Sequence, residues 1–161
     1  MNKILYPLLL ISLFVLARPA YSQAYKSAVG LRLGYPASVT YKTFISQPGA
    51  IEVYGGFRNH RNYRYLTVGG MYLHHLPIND IDGLSWYVGI GANALFYYYS
   101  RNNIIGENVG VGANMALGLD LAIPNVPLNA SIDWLPSFYF SDFDRGFGAG
   151  VGSVGLRYIL K

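Results

Sequence analysis

The stretch Val109 to Ile123, VGVGANMALGLDLAI, separates cleanly when every second residue is read. Val109, Val111, Ala113, Met115, Leu117, Leu119, Leu121 and Ile123 are all apolar. Between them lie Gly110, Gly112, Asn114, Ala116, Gly118, Asp120 and Ala122, which are small or polar. Alternate side chains of a strand point to opposite faces, so one face is a continuous apolar stripe and the other is not. A helix would carry glycine and aspartate onto every face, and each glycine would cost it about 1 kcal/mol relative to alanine. The segment reads as a strand. At roughly 3.3 Å per residue it reaches about 50 Å, well beyond the common strand of about 5–6 residues. Tilted by ~45° it covers about 35 Å along a membrane normal, enough to cross the hydrocarbon core. Asp120 marks the small-residue side as the polar interior. Apolar outside and polar inside is the pattern of a transmembrane β-barrel.

The chain begins with the features of an export signal. Lys3 supplies a positive start, Ile4 to Leu16 is almost unbroken apolar sequence, and Ala20-Tyr21-Ser22 places small residues at the −3 and −1 positions of a cleavage site. Residues 1–22 are therefore expected to be a cleavable signal peptide, with Gln23 or Ala24 opening the mature chain and residues 23–161 forming one barrel domain. Without Lys3 and Arg18 the twelve basic residues become ten against eight acidic, a net charge of +2. So mild an excess does not argue for nucleic acid. The absence of cysteine excludes a lipid-modified cysteine, a disulfide and a cysteine zinc site. The composition is 52% hydrophobic with 19 glycines, yet no membrane-length apolar run follows the signal. Alternating strands with their apolar side chains outward reconcile the two.

The remaining segments alternate with turn chemistry at steady spacing. Ala24 to Gly34 places Val29, Leu31 and Leu33 outward and Arg32 inward; Ser38 to Ile45 places Val39, Tyr41 and Ile45 outward and Lys42 inward. After Ser46-Gln47-Pro48-Gly49, a strong turn signal, Ala50 to Arg58 places Ile51, Val53 and Phe57 outward and Glu52, Tyr54 and Arg58 inward. Tyr63 to Leu76 has no assignable faces, because Leu66, Val68 and Tyr72 compete with Tyr65, Met71 and Leu73. Leu84 to Tyr98 turns Trp86, Val88, Ile90, Ala92, Ala94 and Phe96 outward. Leu128 to Phe140 turns Ile132 and Trp134 outward and Asn129, Ser131 and Asp133 inward. Pro136 is expected to mark a bulge or the point where that strand leaves the bilayer, since a closed barrel has no edge for a missing N–H. In the last segment, Gly146 to Lys161, Phe147 and Val151 have the opposite parity to Leu156, Tyr158 and Leu160, which predicts a bulge near Ser153. The sum is an all-β, eight-stranded antiparallel up-and-down transmembrane barrel. Its links at 46–49, 77–83 and 124–127 are expected on the periplasmic side, and those at 35–37, 59–62, 100–107 and 141–145 outside.

Eight strands enclose an interior just wide enough for side chains to fill. The expected luminal charge network is Arg32, Lys42, Glu52, Arg58, Asp120, Asp133 and Arg157. Buried charges must be paired to be tolerable, which favours a self-neutralising plug over an ion path or narrow diffusion pore. Asp120 and Asp133 sit on neighbouring strands, so one of them is expected to pair with Arg32, Lys42 or Arg157 across the lumen. A rim-active lipid A-modifying enzyme is the alternative function, and His60, Ser100, Glu107, Asp142 and Asp144 are its candidate groups. Loop polarity alone explains them, so no catalytic residue is assigned. His74-His75 would point to opposite faces and cannot easily share one ion, so no metal or cofactor is expected. Arg58, His60, Arg61 and Arg64 form a basic cluster at the outer rim, read equally as an ordinary solvated loop or as a contact for lipopolysaccharide phosphates. Tyr97-Tyr98-Tyr99 and Phe138-Tyr139-Phe140 suit an interface girdle better than a sugar-binding platform.

Gly118-Leu119-Asp120, the run Pro127-Leu128-Asn129-Ala130-Ser131-Ile132-Asp133-Trp134-Leu135-Pro136 and the ending Gly155-Leu156-Arg157-Tyr158-Ile159-Leu160-Lys161 resemble segments of the small OmpX-like outer-membrane barrels of Bacteroidota. The resemblance implies an outer-membrane location, a surround of lipid and lipopolysaccharide, and a closing strand read by the barrel assembly machinery during insertion. It transfers no catalytic residue, and it does not extend to a peptidoglycan-binding domain of the OmpA type. The expected role is structural, adhesive or that of an accessory subunit with a protein partner in the envelope.

Overall fold

The computed structural model describes residues 25–34, 36–59, 63–99, 109–140, 146–148 and 152–160. The described residues contain strands and no helix: β1 (Ser27–Leu33), β2 (Ala37–Ser46), β3 (Gly49–Asn59), β4 (Tyr63–Pro77), β5 (Leu84–Tyr99), β6 (Val109–Ala122), β7 (Leu128–Trp134), β8 (Ser137–Tyr139), β9 (Gly146–Gly148) and β10 (Gly152–Leu160). Sequential strands pair antiparallel from β1 to β6; β6 then pairs with both β7 and β8, β8 with β9, β7 with β10, and β10 returns to β1. Thus β7 with β8, and β9 with β10, are two wall strands each interrupted once. Eight walls close into a barrel.

Closure fixes the stagger. Leaving the last wall at Ile159 and following the pairings Ala28, Lys42, Glu52, Met71, Gly91, Asn114 and Ser137 returns to that wall at Gly148, eleven residues earlier in the chain. A stagger of this size around eight strands goes with a strand tilt of about 35–45°.

Tight turns close one end. Gln47-Pro48 is a cis peptide, Asn125 takes φ 63° in the Pro124–Pro127 turn, and Gly83 takes φ 80° ahead of β5. A side chain at Gly83 would be strained in that conformation, and its Cβ would lie 2.2 Å from the Ala122 carbonyl oxygen. These three turns mark the turn end; the links that follow β1, β3 and β5 mark the loop end.

The wall is inverted relative to a water-soluble protein. Leu31, Leu33, Val39, Ile45, Phe57, Ile90, Met115, Leu117, Ile132, Val154 and Leu156 are exposed, while Arg32, Lys42, Glu52, Asp120, Asp133 and Arg157 are buried. Polar groups inside and an apolar band outside suit a lipid surround, where every strand is hydrogen-bonded on both sides.

The β6 pairing keeps one register across Pro136, since Leu117 faces Trp134 and Asn114 faces Ser137. Met115 N–H still donates to the Pro136 carbonyl at 2.9 Å, so the missing proline N–H removes one ladder bond without a bulge against β6. The offset lies on the other side. Gly152 pairs with Trp134 but Gly148 pairs with Ser137, so the last wall carries one more residue than its partner between Gly148 and Gly152. The parity change therefore falls just before Ser153, leaving Phe147 outward on one side of it and Val154 outward on the other.

Candidate functional site

The interior is layered along the barrel axis. At the turn end, Tyr25, Ala28 and Ala122 form an apolar cap with Phe44 and Ile159 packed against it. Above the cap lies the charge layer. Strand alternation delivers its members inward: Arg32 from β1, Lys42 from β2, Glu52 from β3, Asp120 from β6, Asp133 from β7 and Arg157 from β10.

These six side chains bond to one another. Glu52 Oε1 accepts from Arg32 Nη2 at 2.8 Å and from Arg157 Nη2 at 2.7 Å. Lys42 Nζ reaches Asp120 Oδ1 at 2.5 Å. Two longer contacts join the pairs into a chain, Arg32 to Asp133 at 3.7 Å and Arg157 to Asp120 at 4.0 Å. Three cations face three anions, so this layer carries no net charge. Such balance matters because an unpaired ion here would lose its hydration with no compensating partner.

Neutral groups add further hydrogen bonds to three of the six. Arg157 donates from Nε to Thr40 at 3.0 Å and from Nη1 to Ser131 at 2.9 Å and Asn129 at 3.2 Å. Asp120 also accepts from Asn129 at 2.8 Å and from the Tyr25 hydroxyl at 3.2 Å. Asp133 accepts from the Tyr87 hydroxyl at 2.7 Å and from Ser153. Lys42 is wholly buried, within 6 Å of the ring centroids of Tyr25, Phe44 and Tyr87, and its Nζ lies 3.4 Å from His75 Nε2.

Arg58, expected as a seventh member, is six residues further along β3 than Glu52, about 20 Å toward the loop end. Its guanidinium lies 6.0 Å from the Tyr65 ring centroid. Arg64 is exposed and donates to Asn59 at 3.0 Å. His60 and Arg61 of the expected rim cluster lie outside the described residues, as do Ser100, Glu107, Asp142 and Asp144. Residues 1–22, the expected signal, lie outside them too. His75 faces inward and is buried while His74 takes the opposite face, and the described residues contain no group of three or more His, Asp or Glu placed to hold a metal ion.

Sequence reading missed His75, Tyr25 and Tyr87 as partners of the charge layer. Tyr87 had a usable signal, since it shares parity with Gly89, Gly91 and Asn93 on the inward face of β5. His75 did not, because β4 alternates between two apolar faces.

No family model and no curated protein matches the sequence. Solved structures do. The N-terminal β-barrel domain of Pseudomonas aeruginosa OprF superposes with a TM-score of 0.58 at 14% identity, covering 81% of this chain and 91% of that one. Neisserial surface protein A gives 0.58 at 9% identity, covering 83% and 93%. The chain has the fold of a small outer-membrane β-barrel. At such identities the likeness extends to the fold alone. The outer membrane enzyme PagL covers a similar share, 82% and 95%, at 13% identity, but its TM-score of 0.40 is too low to support an argument about this barrel.

Proposed function

We propose that this barrel is an integral protein of the outer membrane, non-enzymatic, with a structural, adhesive or accessory-subunit role and a lumen closed by its own side chains. The observation that carries the reading is the charge layer: three cations and three anions, mutually bonded and buried, fill the section just above an apolar cap. A permeation path would need water-accessible groups at that section, and Lys42, Glu52 and Arg157 are shielded from solvent. Lipid and lipopolysaccharide surround the apolar band, the assembly machinery engages the strands during insertion, and an envelope protein is the remaining partner.

The test is lipid A mass analysis of membranes from strains with and without the protein, alongside fractionation of inner and outer membranes. The barrel should appear in the outer-membrane fraction, with identical acyl-chain patterns in the two strains. A reproducible acyl-chain difference that His60→Ala abolishes would establish the enzymatic alternative instead.

A further inference from the structure

Above the charge layer the lumen changes character. Thr67, Asn93 and Asn114 face inward from β4, β5 and β6, and the pairings Gly69 with Asn93 and Asn93 with Gly112 set them at successive diagonal positions, about 7–8 Å apart at the backbone. Their exposures are 1%, 8% and 4%. The amide nitrogens are engaged, Asn114 donating to the Tyr54 hydroxyl at 2.6 Å and Asn93 to the Tyr139 hydroxyl at 3.5 Å. Thr67 Oγ1, Asn93 Oδ1 and Asn114 Oδ1 have no hydrogen-bond partner, and turning either amide over only exchanges which of its two polar atoms is unmatched. Three side chains with an unmatched polar atom on adjoining strands are costly to keep in a folded interior.

Tyr54, Ser137 and Tyr139 also face inward at this level, yet they are only half-buried, unlike the charged groups below. Two glycines hold the tyrosine rings against the wall. A Cβ at Gly69 would lie 2.4 Å from Tyr54 Cζ, and one at Gly112 would lie 2.8 Å from Tyr139 Cδ1. The floor is Arg32, its guanidinium 5.6 Å from the Tyr54 ring centroid, with Nε and Nη1 unpartnered.

We infer that this layer is a binding site, entered from the loop end, for a small uncharged hydroxylated molecule such as a sugar unit. The ligand class follows from the unmatched atoms. Hydroxyl groups both donate and accept, so they match Thr67 and the two amides in either orientation and accept from Arg32, whereas a simple cation satisfies only oxygens and a simple anion only donors. Arg32 beneath and Arg58 toward the loop end further oppose a cation. The tyrosine rings offer flat apolar faces to the C–H side of a sugar ring.

The experiment is an NMR titration of the folded barrel in nanodiscs with glucose and sucrose, following the side-chain amide signals of Asn93 and Asn114. Saturable shifts of both signals are expected. Thr67→Val and Asn93→Ala should each weaken binding roughly threefold to tenfold, while folding, read as heat-modifiable migration, is retained. If Asn93→Ala fails to fold, Tyr54→Phe keeps the ring, removes the hydroxyl that holds Asn114, and should weaken binding by a similar factor. The inference is overturned if neither sugar produces a saturable shift, if choline or sulfate produces one instead, or if the folded variants bind as the parent does.

Discussion

At the scale of single residues, Lys42 and Asp120 carry the sharpest consequence. They pair at 2.5 Å with side chains almost entirely removed from solvent. Removing one partner of a buried pair typically costs about 3–5 kcal/mol, because the remaining charge is stranded. Lys42→Ala should fall toward the lower end, since Asp120 keeps Asn129, Tyr25 and, at 4.0 Å, Arg157. The double variant Lys42→Met, Asp120→Leu replaces both charges with apolar groups and should regain most of that loss. Urea unfolding in lipid vesicles measures both. A double variant less stable than either single change would contradict the desolvation argument. Glu52 is the other residue of this kind, because a single oxygen, Oε1, accepts from two arginines.

At the scale of the strand, parity carries the account. Leu117 is exposed on the lipid face of β6 and Ala116 is buried on the luminal face. Leu117→Arg should destabilise the barrel by about 2–4 kcal/mol, whereas Ala116→Ser should cost little; equal costs in a refolding series would refute the assigned faces. In the last wall, deleting one residue between Gly148 and Gly152 removes the one-residue offset. Gly148 and Gly152 would then be as far apart as Ser137 and Trp134, so both pairings share one register, Phe147 and Val154 stay outward, and the variant should keep its heat-modifiable folded form. Loss of the folded form would show that the offset has a structural role of its own. The same alternation explains what the sequence disclosed. β1, β2, β3, β5, β6 and β7 were readable because one face carries small or charged residues against aliphatic ones. β4 was not, because its inward face bears Met71 and Leu73, which pack with Ala50, Tyr87 and Ala116 into an apolar luminal cluster. A strand apolar on both faces has no period to read. The charge layer was legible as a set of inward ions, and the pairing of Asp120 with Lys42 was among those anticipated. What stayed hidden was height along the axis. Periodicity assigns a face but not a level, so it cannot separate Arg58 from charges about 20 Å away or place Tyr25 and His75 beside Lys42.

At the scale of the whole molecule, the barrel is a sequence of layers: apolar cap, neutralised charge layer, polar section with unmatched polar atoms, and an aromatic layer of Tyr65, Leu95 and Tyr97 with Tyr139 against it. The cap and charge layer together are the barrier, and β2, β6 and β10 each contribute to both or stand beside them through Phe44, Ala122 and Ile159. A lumen blocked this way should pass no steady ion current, whether or not small polar molecules enter its upper section. Planar-bilayer recording of the purified barrel tests this most directly. The parent protein should give a flat baseline at moderate voltage, with current appearing only when both Glu52 and Asp120 are replaced by alanine. Stable openings of uniform size in the parent would mean that the charge layer is a path and not a plug.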